Sequence, residues 1–324
     1  MNKKIIKFSA IAILAIFFVS AATGCTKKET AKKSITIAVQ YGLPYGPLEI
    51  MKEKKLLEKN MPGIQVNWVQ LSNTTAIREA MLAGKADVGF MAIPPFLIGL
   101  DKGMDWKIAT GLSSSRTGLI TNKATIKSIK DFTNSDKIAL PQPGSVQHIL
   151  LSMECEKVFK DAKRMDNLIV SMSHPDGMNA LIANGDISAH FTSSPYLEKE
   201  LAVGGMKEIL NSYEAFGGDF TFIAGVTTKK FHDNNTDVYE AFVKSVGEAT
   251  DYINKNPEKA ASELAAAYKL TPEEVLKYIK AEGNSYSTEV KGVPEFISFM
   301  GRNGYISKKF NAKEIYWNAG ESNN

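Results

Sequence analysis

The sequence predicts an α/β protein, with a parallel or mixed sheet covered by helices on both faces. Three observations carry this. Short strand-like runs alternate with helical ones along the chain. The alternation restarts near residue 117, and from about Thr236 the chain turns mostly helical.

Taken in order, Ser34–Val39 alternates polar and apolar residues at the period of a half-buried strand. Residues 46–57 read as a helix, 64–70 as a second strand and 72–83 as a helix closed by Gly84. Residues 87–91 form a short strand, and Pro94-Pro95 open the next helix. After the restart, 118–121 and 137–140 read as strands. The run 146–160 is a strong helix with apolar residues at 146, 149, 150 and 153. Residues 168–170, 187–191, 208–210 and 220–227 read as further strands. Helices follow over 238–256 and 257–268. Thr271-Pro-Glu-Glu274 then supplies a capping box with proline at the first helical position, opening a helix that ends near Gly283. The last helix, 293–303, stops at Gly304. No internal repeat or low-complexity tract appears.

The first 25 residues carry an export pattern. Lys3, Lys4 and Lys7 precede an uncharged run over 8–22, and Ala22-Thr-Gly-Cys25 leads into polar residues. A charged start, an apolar core and a small-residue exit describe a secretory signal. The run is short of the roughly 20 residues a spanning helix needs. Cleavage falls either before Cys25 or after Ser20-Ala-Ala22. Residues 25–33 read as a polar tether.

Composition is that of an ordinary soluble globular protein, 44% hydrophobic and 23% charged. Much of the formal net charge of +4 belongs to the three leader lysines, so no basic field for nucleic acid exists. Nothing after residue 25 is long and apolar enough to span a bilayer. Beyond Cys25 only Cys155 remains, so the exported part has no internal disulfide.

Catalytic signatures are absent. The chain has no GxxxxGK[ST], GxGxxG, GxSxG or HExxH motif, and its four histidines stand at no metal-ligand spacing. What remains is a set of turns rich in glycine, proline and serine near strand ends, where open α/β sheets bind ligands. Gln142-Pro-Gly144-Ser145 is the best of these, because Ser145 reads as the N-cap of the 146–160 helix. Free N–H groups there suit a polar or anionic ligand, although a plain cap would use the same serine. Arg116 is either an anion's counter-charge or a surface residue. His190 lies inside an apolar strand, as core and edge histidines do. Tyr41, Tyr45 and Tyr196 either line a pocket or simply pack.

Five blocks together resemble the solute-binding proteins of ABC importers in the nitrate/sulfonate/taurine class, which includes binders of thiamine-pyrimidine precursors. They are REAMLAGKADVG (78–89), IKSIKDF (126–132), KIALPQPGS (137–145), MNALIANGDI (178–187) and AHFTSSPY (189–196). Their order and spacing carry the likeness over nearly all of 34–317. The Cys25 ending similarly resembles a lipoprotein signal, with Ala22 where Leu, Val or Ile is usual.

The resemblance implies a two-lobed periplasmic-binding-protein-like fold of type II, with two hinge crossings and a ligand cleft between lobes. Lobe one would be 34–118 plus 223–324, and lobe two 119–222, behind a leader at 1–24. It assigns ligand-contacting positions to Gln40, Tyr45, Ile93, Pro94, Ser114, Gly144, Ser145, Thr192, Ser193 and Asp219, and lipidation to Cys25. The class often carries Trp-Glu-Pro near 191–195, where this chain has Phe-Thr-Ser-Ser-Pro.

The expected protein is therefore an extracytoplasmic, lipid-anchored monomer without cofactor or metal. It captures a small polar or anionic molecule, does no chemistry on it, and delivers it to an ABC permease and its ATPase. The rivals are a same-fold biosynthetic enzyme of the menaquinone or thiamine-precursor pathways and a ligand-sensing lipoprotein.

Overall fold

The computed structural model describes residues 33–317. The leader 1–24, Cys25 and nearly all of the tether lie outside the described residues. The chain forms two mixed sheets. In the six-stranded sheet, β1 (Ser34–Val39) pairs in parallel with β2 (Gln65–Gln70) and β3 (Val88–Met91). Strand β4 (Trp106–Ser114) completes its first half. In the five-stranded sheet, β5 (Thr117–Thr121) runs antiparallel to β8 (Ala189–Ser193) and β9 (Lys207–Asn211). There β6 (Ile138–Leu140) is parallel to β7 (Ile169–Ser171) and to β8. The chain returns as β10 (Ile223–Thr228), which inserts antiparallel between β3 and β4, and β11 (Ser285–Tyr286) closes the edge beside β4. It thus passes between the sheets twice, at Ser115-Arg116 and over 217–222.

The helices on the first sheet's side are α1 (Gly46–Glu53), α2 (Leu56–Asn60), α3 (Thr74–Leu82) and α4 (Ile93–Asp101). Beside the second sheet lie α5 (Val146–Phe159), α6 (His174–Ile182), α7 (Tyr196–Leu201) and α8 (Ser212–Phe216). After β10 come α9 (Lys229–Asn234), α10 (Thr236–Lys255), α11 (Pro257–Tyr268), α12 (Pro272–Ile279) and α13 (Val293–Arg302). Helix α10 shows why these segments fold as they do. Val238, Phe242, Val246, Ala249 and Ile253 recur every three to four residues, and all five are fully buried. Its Phe242 meets Phe90 of β3 edge to face at 6.0 Å. Burying a side chain of this size stabilises the fold by about 1.5–3 kcal/mol.

Three sequence expectations change. The helix expected over 46–57 is two helices, because Lys55 adopts a left-handed conformation (φ 51°) that breaks it. The strand expected from 220 starts at Ile223. Phe220 instead packs at the crossing against Phe216 and Phe296, at 4.8 and 5.5 Å. Strand β4, the longest, was not anticipated. Its second half, Thr110–Ser113, is buried on both faces and carries no alternation. The capping box at Thr271 and Glu274 forms as expected, as does the Ser145 cap. Cys155 is buried on α5, where burial pushes its thiol up to about 12 and leaves it unreactive at neutral pH. No described helix is long and apolar enough to cross a membrane.

Candidate functional site

Strand ends of the two sheets face one another across a small cavity of about 40 Å³. One buried water occupies roughly 10–15 Å³ by the same measure, so the cavity holds a few water-sized groups. From the first sheet come Gln40 and Tyr41 after β1, Tyr45, Ser72 and Thr74 at the start of α3, and Ala92 and Pro95 at the start of α4. From the second come Pro141 and Gln142 after β6, Ser145, Val146 and Gln147 at the start of α5, His174 at the start of α6, and Ser193 at the end of β8. Phe222 and Ile223, at the second crossing, complete the lining.

The N-termini of four helices therefore converge on one small space. Each brings the positive end of a peptide dipole, although Pro94 and Pro95 in α4 and Pro175 in α6 take first-turn places that would otherwise carry an N–H. Among the described residues no lysine or arginine lines the cavity. Its polarity comes from amides, hydroxyls, an imidazole and helix ends, a set suited to a small oxyanion or a polar acceptor.

Local chemistry explains how each wall is held. Ser145 accepts a hydrogen bond from the His148 N–H at 3.3 Å, which caps α5. Not all the turn's N–H groups are free for a ligand. Gly144 donates to His148 Nδ1 at 2.8 Å, and Ser145 donates to the Gln142 carbonyl at 3.0 Å. The free donors are the first-turn N–H groups of Val146 and Gln147. Across the cavity, the Gln40 amide donates to Thr74 Oγ1 and to the Phe90 carbonyl, each at 3.3 Å. Direct bonds join the two sides at its rim. Thr75 Oγ1 donates to Gln142 Oε1 at 3.1 Å, and Leu43 N–H donates to the Ser194 carbonyl at 3.2 Å. The second bond requires glycine before it. Gly42 has φ 118°, and a Cβ there would sit 3.0 Å from the Ser194 carbonyl oxygen.

Behind His174 lies a buried polar chain. His174 Nδ1 is 3.1 Å from Thr192 Oγ1 and 3.5 Å from His190 Nε2. His190 Nδ1 is 2.6 Å from Glu200 Oε1. His190 and Glu200 are wholly buried, and Glu200 Oε2 has no partner. Burial holds both imidazoles well below the ordinary histidine value and drives the Glu200 carboxyl far above that of a free carboxylate. The ordinary state of the chain is thus electrically neutral.

Of the positions the resemblance assigned, Gln40, Tyr45, Ser145 and Ser193 line the cavity. Ile93, Pro94, Gly144 and Thr192 stand directly beside lining residues without lining it. Ser114 and Asp219 lie off its wall, Ser114 facing Ser285 of β11 and Asp219 exposed on the crossing. Arg116 is also absent from the wall, because it pairs with Glu208. His190 is a satisfied core histidine. Tyr41 lines the cavity and Tyr196 stacks on His174 at 5.9 Å. His174, Gln147, Ser72 and Thr74 were not anticipated. His174, Gln147 and Thr74 share one signal, position in the first turn of a helix that follows a strand, while Ser72 sits just before the Asn73 cap of α3. Among the described residues no group of three or more His, Cys, Asp or Glu side chains is placed to hold a metal.

The fold and the cavity at facing strand ends define a periplasmic-binding-protein-like protein. The chain belongs to the NMT1-like family, whose model matches residues 28–268. No curated protein matches it significantly. Solved structures show the same fold. One is the alkanesulfonate-binding protein SsuA from Xanthomonas axonopodis pv. citri bound to MOPS, at 18% identity and TM-score 0.72, covering 88% of this chain and 98% of that one. A second is the periplasmic aliphatic sulphonate binding protein SsuA from Escherichia coli, at 19% identity and TM-score 0.68 with the same coverage. A third is the periplasmic nitrate-binding protein NrtA from Synechocystis PCC 6803, at 13% identity and TM-score 0.70, covering 89% and 86%.

Proposed function

We propose that this protein is the solute-binding component of an ABC importer and carries a small oxyanion or similarly polar acceptor. The observation that carries this reading is the convergence of four helix N-termini on one small cavity between the sheets, with neutral donors on its wall. Such a site satisfies an oxyanion with N–H groups and peptide dipoles. The sulfonate- and nitrate-binding neighbours support the ligand class. The protein acts as a monomer and does no chemistry on its cargo. Its partners are a permease and that permease's ATPase.

On this reading the lobes are 34–118 plus 223–324 and 119–222. They hinge at the two crossings and close over the ligand. Gln40, Tyr45, Ser145 and Ser193 contact it, together with His174 and Gln147. The protein works outside the cytoplasm, held at a membrane by lipid on Cys25. Several acyl chains give stable anchoring where one is marginal.

Calorimetric and thermal-shift titration with nitrate, methanesulfonate and taurine tests the ligand class. At a hundred times the dissociation constant a ligand stabilises the fold by about 2.7 kcal/mol. No binding of any oxyanion, with tight binding of a cation or an apolar solute, would overturn the reading. For the anchor, Cys25→Ser should move the protein from the membrane fraction to the soluble one.

A further inference from the structure

His174 stands out on the cavity wall, because a chain of buried titratable side chains, His190 and Glu200, runs back from its ring. Its ring nitrogens face different ways. Nδ1 is turned to Thr192 and His190, while Nε2 lies 3.4 Å from Nε2 of Gln147, a lining residue whose amide presents its oxygen at the same place after a half turn. A neutral imidazole donates at one nitrogen and accepts at the other. Which of them faces the ligand is decided by the chain behind it.

That chain can be followed from its far end. An ionised Glu200 would leave Oε2 charged, buried and without a donor, an arrangement that is strongly disfavoured. The carboxyl is therefore protonated. A proton on Oε2 would find no acceptor, so it sits on Oε1 and is donated to His190 Nδ1, 2.6 Å away. With Nδ1 accepting, a neutral His190 carries its hydrogen on Nε2, facing His174 Nδ1. That nitrogen also faces the Thr192 hydroxyl, and it accepts from these groups. His174 is left with its own hydrogen on Nε2, which the Gln147 amide accommodates by turning its oxygen, and not its nitrogen, towards the ring.

The other charged and titratable groups around this chain do not compete for it. Asp176, on α6, is held by the Ser173 hydroxyl. Glu198, on α7, accepts from Ser194 at 2.5 Å, and Lys199 lies in the same helix without a bond to the chain. The Tyr196 ring stacks on His174, and β5 and β6 contribute no further ionisable side chain.

We propose that His174 is a specificity-determining residue of the cavity, with Glu200 acting through His190 to fix its Nε2 as an N–H donor. The site then accepts ligands that present an acceptor at that point, such as an oxyanion oxygen, and rejects those that present a donor. Glu200 and His190 touch no ligand and are positioning residues. The inference rests on the oxyanion reading above for its ligand, but not for its tautomer.

The tautomer is read directly by ¹⁵N–¹H correlation spectra of the ligand-free wild-type protein, with imidazoles labelled. His148 is an internal standard, since its Nδ1 accepts from Gly144 and its Nε2 lies 2.9 Å from Asp166. His174→Gln assigns the signal. The expected result is a neutral His174 and a neutral His190, each with hydrogen on Nε2, from pH 5 to 8. Hydrogen on Nδ1 of either ring, or a cationic ring at pH 7, would overturn the proposal.

Ligand binding supplies the second arm, with nitrate and methanesulfonate as probes. Glu200→Gln can donate an amide hydrogen to His190 Nδ1, so it should keep affinity within about twofold. Glu200→Leu should lose about ten- to a hundredfold. Equal affinities in wild type and Glu200→Leu would overturn the relay's role in selection. If neither anion binds the wild type, the oxyanion reading and the selection it implies both fall. If the anions bind but His174 carries hydrogen on Nδ1, the relay alone is wrong.

Discussion

Strands β2-β1-β3-β10-β4 of one sheet and β7-β6-β8-β5-β9 of the other follow the same order with the same parallel and antiparallel pairings. In both, the helix after the second parallel strand starts at the cavity. That first helical position is Thr74 in one half and His174 in the other, each following a capping residue, Asn73 or Ser173. The scaffold is the same and the chemistry differs. Thr74 accepts from Gln40 on an uncharged wall, whereas His174 ends a buried chain whose hydrogens are ordered from Glu200 forward. One plan repeated thus yields a half whose wall polarity is local and a half whose polarity is set from behind.

The comparison can be broken most visibly through pH. A carboxyl whose pKa is raised on folding contributes stability that is fully present below its unfolded value. That stability is lost as pH rises towards the folded value, here about 9 for Glu200. Glu200→Gln removes this loss. Its stability relative to wild type should rise with pH above about 4.5, by at most ~1.4 kcal/mol per pH unit. Denaturant titrations at pH 5 and pH 8 measure it, and an unchanged difference would show that Glu200 is ionised in the fold. Substituting Thr74 should produce no such trend.

Smaller effects separate the two walls in binding. His174→Phe should weaken oxyanion binding by ~1.5–3 kcal/mol, and Thr74→Val by only ~0.5–1.5 kcal/mol, by calorimetry. Equal losses would make the walls equivalent. Gly177 offers a subtler probe, because a methyl there would lie 2.6 Å from His190 Nε2. Gly177→Ala should cost ~1–3 kcal/mol of stability by crowding, and it should shift the His190 imidazole resonances while leaving those of His148 in place. Last, Ser145→Ala should cost ~0.5–2 kcal/mol through the lost cap, with a further drop in affinity if Ser145 also meets the ligand.

Much of this was legible in the sequence, unevenly. Ser145 could be placed because a cap is a local matter of one serine before a helical run. The strand-end turns holding Gln40 and Ser193 could be placed because strands end at turn residues. His174 could not. Its meaning depends on β8 and α7 bringing Thr192, His190 and Glu200 behind it, through contacts 10 to 18 residues apart that no periodicity announces. Gly144 read as a free donor until His148, four residues on, proved to take its hydrogen. Arg116 could be read as a counter-charge or as a surface residue, and only Glu208, far along the chain, decides the matter by pairing with it. Lys55 carries no mark of the left-handed turn that splits α1 from α2.

The four converging helices belong in pairs to the two halves, α3 and α4 to one and α5 and α6 to the other. The positive potential in the cavity is therefore assembled only while the halves are together. Drawing them apart leaves each side with half the field and lets water screen what remains. A transporter that prises this carrier open would in the same movement dismantle the attraction holding the cargo. Capture and discharge would then be two positions of one electrostatic device, without a fixed charge to hold the anion back.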